Sequence, residues 1–253
     1  SSINSINWAR LMPQVVYYFA AALRLGAPMQ KVAFSVPTGN FGNIFAGYVA
    51  MQMGLPIERL IIASNKNDIL PRFFTSGSMK REAVLPSLSP SMDIQVSSNF
   101  ERLLFELLDR DGPATANAMK SFYDIGCFTV NKNIHARACQ LFLAYRLDDK
   151  GTLTEIAETA KNHSMVLDPH SAVGVNAARR AQSDGVIPED VPIVALACAH
   201  AAKFDRAVIK ATGVKPVLPN HLANLMERPE KLNHVPATME AVKSFVLAKK
   251  RDV

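Results

Sequence analysis

Residues 31–64 read KVAFSVPTGNFGNIFAGYVAMQMGLPIERLIIAS, and this stretch decides the fold. It opens on KVAFSV, a short apolar and partly β-branched run closed by Pro37, which is the pattern of a buried strand. NIFAGYVAMQM follows as a helix, stopped by Gly54 with Pro56 just behind it. RLIIAS is then a second buried strand. Strand, helix and strand in this order predict a parallel pair with a right-handed crossover. Between the first strand and the helix lies Gly39-Asn40-Phe41-Gly42-Asn43. A loop entering a helix leaves backbone N–H groups unpaired at the positive end of the helix dipole. Glycine lets a backbone come close to an anion, and asparagine tolerates left-handed dihedrals while adding a donor. The same residues also suit an ordinary tight turn. Two specific phosphate motifs fail here, because no P-loop lysine follows and G-x-G-x-x-G is not met.

The flanking sequence extends the pattern in both directions. INWARLMPQVVYYFAAALRLGAP has helical spacing, with Gly26 at its end and Pro28 beyond, while Pro13 interrupts it and would kink it unless it lies in the first turn. From about residue 70 to 150, NFERLLFELLDRD, ATANAMKSFYDIG and IHARACQLFLAYRLDD read as amphipathic helices with no clear strand between them. After Gly151 the alternation returns: LTEIAETAKNH as helix, LDPHSAVG as turn, VNAARRAQSDG as helix, PIVALACA as strand, KFDRAVIKATG as helix. The expected division is therefore 1–70 and 151–253 as two parts of one α/β domain, with 71–150 as a mainly helical insertion. No repeat or low-complexity segment stands out.

Composition narrows the function class. The chain has 253 residues, of which 49% are hydrophobic and 20% charged, enough for a sizeable core. It has no apolar run of about eighteen residues, so no membrane span is expected. Its start lacks the basic and apolar regions of a secretion signal. Cys127, Cys139 and Cys198 are odd in number and widely spaced, which favours free thiols in a reducing, cytoplasmic compartment over disulfides or a metal site. The net charge of +6 is scattered, and the terminal KKRDV is a short basic tail, so no nucleic-acid partner is expected.

SVPTGNFGNIFAGYVAMQMGLPIERLIIASNKNDILPRFFTSG resembles the cofactor-phosphate loop and following strand of the threonine synthases, enzymes of the second fold type that use pyridoxal 5'-phosphate (PLP). NSINWARLMPQVVYYF, LSPSMDI, LDPHSAVGV and ACAHAAKF occur in the same order as in that family. The resemblance implies an α/β fold, part of a fold-type II PLP-enzyme domain with a parallel sheet and a helical insertion. It also implies conversion of O-phosphohomoserine and water to threonine and phosphate. Gly39, Asn40, Phe41, Gly42 and Asn43 would wrap the PLP phosphate. Asn4, Ser5 and Arg10 in NSINWAR would hold the substrate phosphate, a helix start, a hydroxyl and a guanidinium being apt for that. Read without the family, Ser5 or Asn7 caps the helix and Arg10 faces water.

Cys198 stands where the family has threonine or serine facing the pyridine nitrogen. A thiol is the weaker donor, and a buried cysteine is commonly just a small apolar residue. In NKND, Asn65 and Asp68 either shape the site or form an Asx turn. His170 and Ser171 receive no chemical step. His200 and Lys203 read as structural capping, and Lys203 is retained in the family beside the Schiff-base lysine, not in its place. That catalytic lysine sits in a segment preceding NSIN, so the resemblance makes the chain a carboxy-terminal portion whose partner is its missing amino-terminal half. No catalytic residue is assigned within it. A related PLP phospholyase, or a non-catalytic anion-binding chain, are the alternative readings.

Overall fold

The computed structural model describes residues 6–249. Its elements in order are α1 (Trp8–Arg24), β1 (Val32–Pro37), α2 (Gly42–Gln52), β2 (Ile57–Ser64), α3 (Ile69–Ser76), β3 (Ser78–Lys80), α4 (Phe100–Leu107), α5 (Gly112–Ile125), β4 (Cys127–Thr129), α6 (Lys132–Leu141), β5 (Phe142–Arg146), α7 (Asp149–His163), α8 (Pro169–Ser183), β6 (Ile193–Ala195), α9 (Asp205–Thr212) and α10 (Met239–Lys249). Contacts divide the chain into residues 1–216 and 217–253. The second unit consists of two 3-10 turns, Asn220–Leu222 and Leu225–Glu227, followed by α10, with Arg228 donating twice to the Asn224 side chain.

The first unit is built on a four-stranded sheet of order β5-β2-β1-β6. Every pairing in it is parallel, with Phe34 beside Leu60 and Val194, and Leu60 beside Phe142. The strand alternation sorts side chains to two faces. Phe34, Val36, Leu60, Ile62 and Phe142 join α1 and α2 in the larger core. Ala33, Ile61 and Ala63 face the other way, against Val173, Ala177 and Ala181 of α8. The small residues on that second face let α8 lie close. Ser35 Oγ donates to the Gly174 carbonyl at 2.6 Å, and a Cβ on Gly174 would stand 3.0 Å from Pro37. On the first face Gly47 serves similarly, since a Cβ there would meet Tyr18 at 2.6 Å and Leu60 at 2.8 Å.

Three expectations are corrected. The segment 134–149 is not one helix: α6 ends at Leu141 and the chain turns directly into β5. Phe142 to Arg146 pair with Leu60 to Ser64, so the sheet gains an edge strand from within the stretch expected to be helical. A buried Phe142 in the larger core drives the switch, because helical continuation would carry it off the sheet. The stretch also carries a two-stranded antiparallel pair, β3 with β4. Finally, Pro13 lies in the second turn of α1, which runs on through it with the Ala9 carbonyl lacking its i+4 donor. Asn7 is the N-cap of that helix, accepting from the Ala9 N–H at 3.0 Å.

Candidate functional site

The loop joining β1 to α2 lies at the carboxyl end of the central strand, where ligands collect in open α/β sheets. Its conformation hinges on Phe41, the N-cap of α2, held at φ 63° in the left-handed region. For a bulky residue this costs about 1–2 kcal/mol. Burial of its ring offsets the strain. Phe41 is 1% exposed, meeting Phe100 edge-on at 5.3 Å and Phe142 at 5.8 Å. Burying such a side chain contributes roughly 1.5–3 kcal/mol.

The loop carbonyls point to one side. Ser97 Oγ donates to the Gly39 carbonyl at 2.7 Å, and Asn99 donates to the Asn40 carbonyl from its side chain at 2.9 Å and its backbone at 3.0 Å. In a trans peptide the N–H opposes its carbonyl, so the amides of Asn40 and Phe41 face away from Ser97 and Asn99. Among the described residues, nothing accepts a hydrogen bond from the backbone N–H groups of residues 39–44. These amides line a pocket of about 140 Å³ together with Gln14 of α1. That is well below the ~300–1,000 Å³ of a whole-ligand pocket, and suits one anionic group.

Gly39 has a role that sequence reading missed. A Cβ on it would stand 2.8 Å from the Ser91 carbonyl, so glycine here admits the 3-10 turn Pro90–Met92. That turn is positioned in turn by the start of α8. The Ser91 N–H donates to His170 Nε2 at 3.3 Å. With Nε2 accepting, His170 Nδ1 carries the proton and donates to Asp168 at 3.0 Å. Ser171 Oγ donates to the same carboxylate. Burial works to raise the Asp168 carboxyl, yet the hydrogen bonds from His170 and Ser171 outweigh it and hold it below its ordinary value. Serine, histidine and aspartate thus meet without forming a nucleophilic relay, because the hydroxyl bonds the carboxylate and not the imidazole.

Asn43 ties the loop to Cys198. Buried Tyr18 donates to the Asn43 carbonyl at 2.8 Å and lies 3.2 Å from its side-chain oxygen, which turns the Asn43 amide nitrogen toward Cys198 Sγ at 3.7 Å. The thiol is exposed, and crowding by the surrounding atoms, with the Asp168 carboxylate nearby, pushes it up to about 11. It is therefore a neutral S–H at physiological pH. His200 caps the following turn by accepting from the Ala202 N–H at 3.2 Å. Lys203 lies in that turn.

Arg10 is exposed on the first turn of α1. It sits four residues before Gln14, on the same helix face and about 6 Å along the axis. Asn4 and Ser5 lie outside the described residues. The two motifs are joined by Arg102, which donates to the Ile6 carbonyl at 2.6 Å and to Asn99 at 3.1 Å, its guanidinium 5.5 Å over the Trp8 ring. In NKND, Asn65 accepts from the Asn67 N–H at 2.9 Å, an Asx turn. Its amide also reaches Ser87, Ser89 and Asp93, pinning the irregular stretch that carries LSPSMDI. Asp68 pairs instead with Arg72 and Arg146. A larger cavity of about 790 Å³ opens between α2, α4 and α5, walled by Trp8, Phe45 and Tyr48. It has none of the loop's free amides. No group of three or more metal-ligating side chains gathers among the described residues, and none of their helices is long and apolar enough to cross a membrane.

Residues 171–246 match the family model "Threonine synthase, C-terminal". The chain is 50% identical over 246 residues to the threonine synthase of Pseudomonas aeruginosa, covering 97% of this chain and 52% of that protein. It superposes on the crystal structure of PLP-bound threonine synthase from Brucella melitensis with a TM-score of 0.92 at 48% identity, covering 100% of this chain and 53% of the other. For the yeast enzyme the TM-score is 0.87 at 39% identity, covering 98% and 54%. The chain spans about half the length of the curated relatives it matches.

Proposed function

Because the chain belongs to the threonine synthase family, of whose members it spans about half the length, we propose that it carries the cofactor-phosphate cradle of a PLP-dependent enzyme. The reaction is the conversion of O-phosphohomoserine and water to threonine and phosphate. The observation that supports this reading best is the row of uncommitted N–H groups at residues 39–44, at the head of α2. They bind one phosphate without contributing a formal charge, helped by the helix dipole.

When bound, PLP supplies an electron sink for charge developing beside the substrate amine. The chain's own residues bind and orient. Gly39, Asn40, Phe41, Gly42 and Asn43 anchor the cofactor phosphate. Cys198 offers a protonated sulfur toward a neutral pyridine nitrogen in place of the family's hydroxyl, and Asn43, held by Tyr18, sets its position. Arg10, with Asn4 and Ser5, takes the substrate phosphate one helical turn from the cradle wall at Gln14. The lysine that carries the cofactor belongs, in this reading, to the other half of the family's length. Its free cysteines fit a cytoplasmic location.

Mixing the chain with the matching amino-terminal half, PLP and O-phosphohomoserine releases inorganic phosphate on this reading. Absence of release from a folded, cofactor-loaded complex overturns it. A preference for an amino-alcohol phosphate without the carboxylate reassigns the chain to a phospholyase.

A further inference from the structure

Beside α3 and edge strand β5 lies a cleft of about 650 Å³. Asp68, Pro71, Arg72, Ser76, Lys80, Tyr145, Arg146 and Arg180 are among its walls. None of these residues lines the cradle at residues 37–44. Its volume falls within the range of a small-molecule site.

The charges in this cleft do not balance. Asp68 is shared by Arg72 at 2.9 Å and Arg146 at 3.4 Å, and Glu82 also pairs with Arg72 at 3.1 Å. Among the described residues, Lys80 and Arg180 have no carboxylate within salt-bridge distance. Asp184 is close by, but it accepts from the Tyr145 hydroxyl at 3.1 Å. With Asp184 counted, since a hydrogen bond from a neutral hydroxyl leaves a carboxylate its charge, three carboxylates face four cations.

Two of the cations are also held in place. The Arg180 guanidinium lies 4.8 Å over the Tyr145 ring and donates to the Arg146 carbonyl at 3.1 Å. Arg72 is fixed by Asp68, the Lys80 carbonyl and Gln95. Stacking and clamping leave these two guanidinium groups ordered before a ligand arrives. Guanidinium forks held this way suit phosphate oxygens, and less side-chain entropy is lost when the ligand arrives.

We propose that this cleft is a second anion site, taking a small organic phosphate or diphosphate across Arg146, Arg180 and Lys80. It is separate from the PLP cradle and does not depend on the PLP reading. Pyrophosphate is the probe. Arginine-directed butanedione labelling of the chain, mapped by peptide mass spectrometry, finds Arg146 and Arg180 protected by pyrophosphate, while exposed Arg24 at the end of α1 stays reactive. By calorimetry Arg180→Gln and Arg146→Gln each weaken pyrophosphate about 10-fold and leave PLP binding within about 2-fold. Labelling of the unaltered chain needs no folded variant. Equal labelling of Arg146 and Arg180 with and without pyrophosphate overturns the proposal, as does equal protection of Arg24.

Discussion

The β1–α2 loop and the β5 cleft are both suited to anions, and they are built from opposite materials. Among the described residues the loop has no charged side chain in its wall; its donors are main-chain amides, aimed by Ser97 and Asn99 pulling the carbonyls the other way. The cleft is almost all side-chain charge, set by stacking and shared carboxylates. The loop's selectivity therefore depends on backbone shape, so the residues that matter most are those that hold the shape, whether or not they touch a ligand. The cleft's affinity resides in tips that can be removed one at a time.

The strongest way to break this contrast is Phe41→Ala. It removes a ring that is 1% exposed yet keeps the left-handed strain, so a loss of about 3–5 kcal/mol in chemical denaturation is expected. PLP binding falls with it, while pyrophosphate protection of Arg146 and Arg180 persists. If both ligands are lost together in a folded variant, the two regions are not independent.

Asp168→Asn comes next, at about 1–3 kcal/mol, because hydrogen bonds from His170 and Ser171 lose a charged acceptor. The carboxyl is held low in the folded chain, so its contribution is complete above the unfolded value of about 4 and is lost as pH falls through the folded value. The variant should show a flatter acid limb in a pH series of thermal melts. An unchanged limb would show that the carboxylate does not stiffen the turn behind Gly39.

Salt separates the two materials more gently. Raising ionic strength from about 0.05 to 0.5 M should weaken pyrophosphate in the cleft about 10-fold and PLP in the loop about 3-fold or less, since partial charges at a helix start sense screening less than exposed guanidinium groups. Equal slopes in a titration series would erase the distinction. The smallest effect on the fold belongs to Cys198→Ser, within about 1 kcal/mol, because the thiol is exposed. In the unaltered chain, alkylation of Cys198 should climb toward a midpoint near 11. A midpoint at the ordinary thiol value of about 8.5 would show that its surroundings do not hold the proton, and one below about 7 would remove the argument that it presents a neutral S–H.

Much of the fold was legible in the residues. Apolar runs with closing prolines and glycines marked β1, α2 and β2 within a few positions, and local pattern was enough because those strands are buried on both faces. FLAYR was not legible, because a short apolar run continuing from a helix has no period of its own. Only the vacant place beside β2 makes it a strand. The candidate loop was visible as glycine and asparagine between strand and helix. Its supporting cast, Gln14, Tyr18, Ser97, Asn99 and Ser91, was invisible, since each arrives from a distant part of the chain. The order of NSIN, LSPSMDI and LDPHSAVGV hinted that these segments act together, and a serine or asparagine inside such a motif was the available signal.

Local spacing, then, dictated which stretches are strands, where the helices stop and where the backbone amides come free, because hydrophobic period and turn chemistry act between near neighbours. Which way those amides face, why Gly39 tolerates no side chain, and that four cations from α3, β3, β5 and α8 meet in one cleft depend on contacts across scores of residues. Such contacts exist only once the sheet has paired and its two faces have packed.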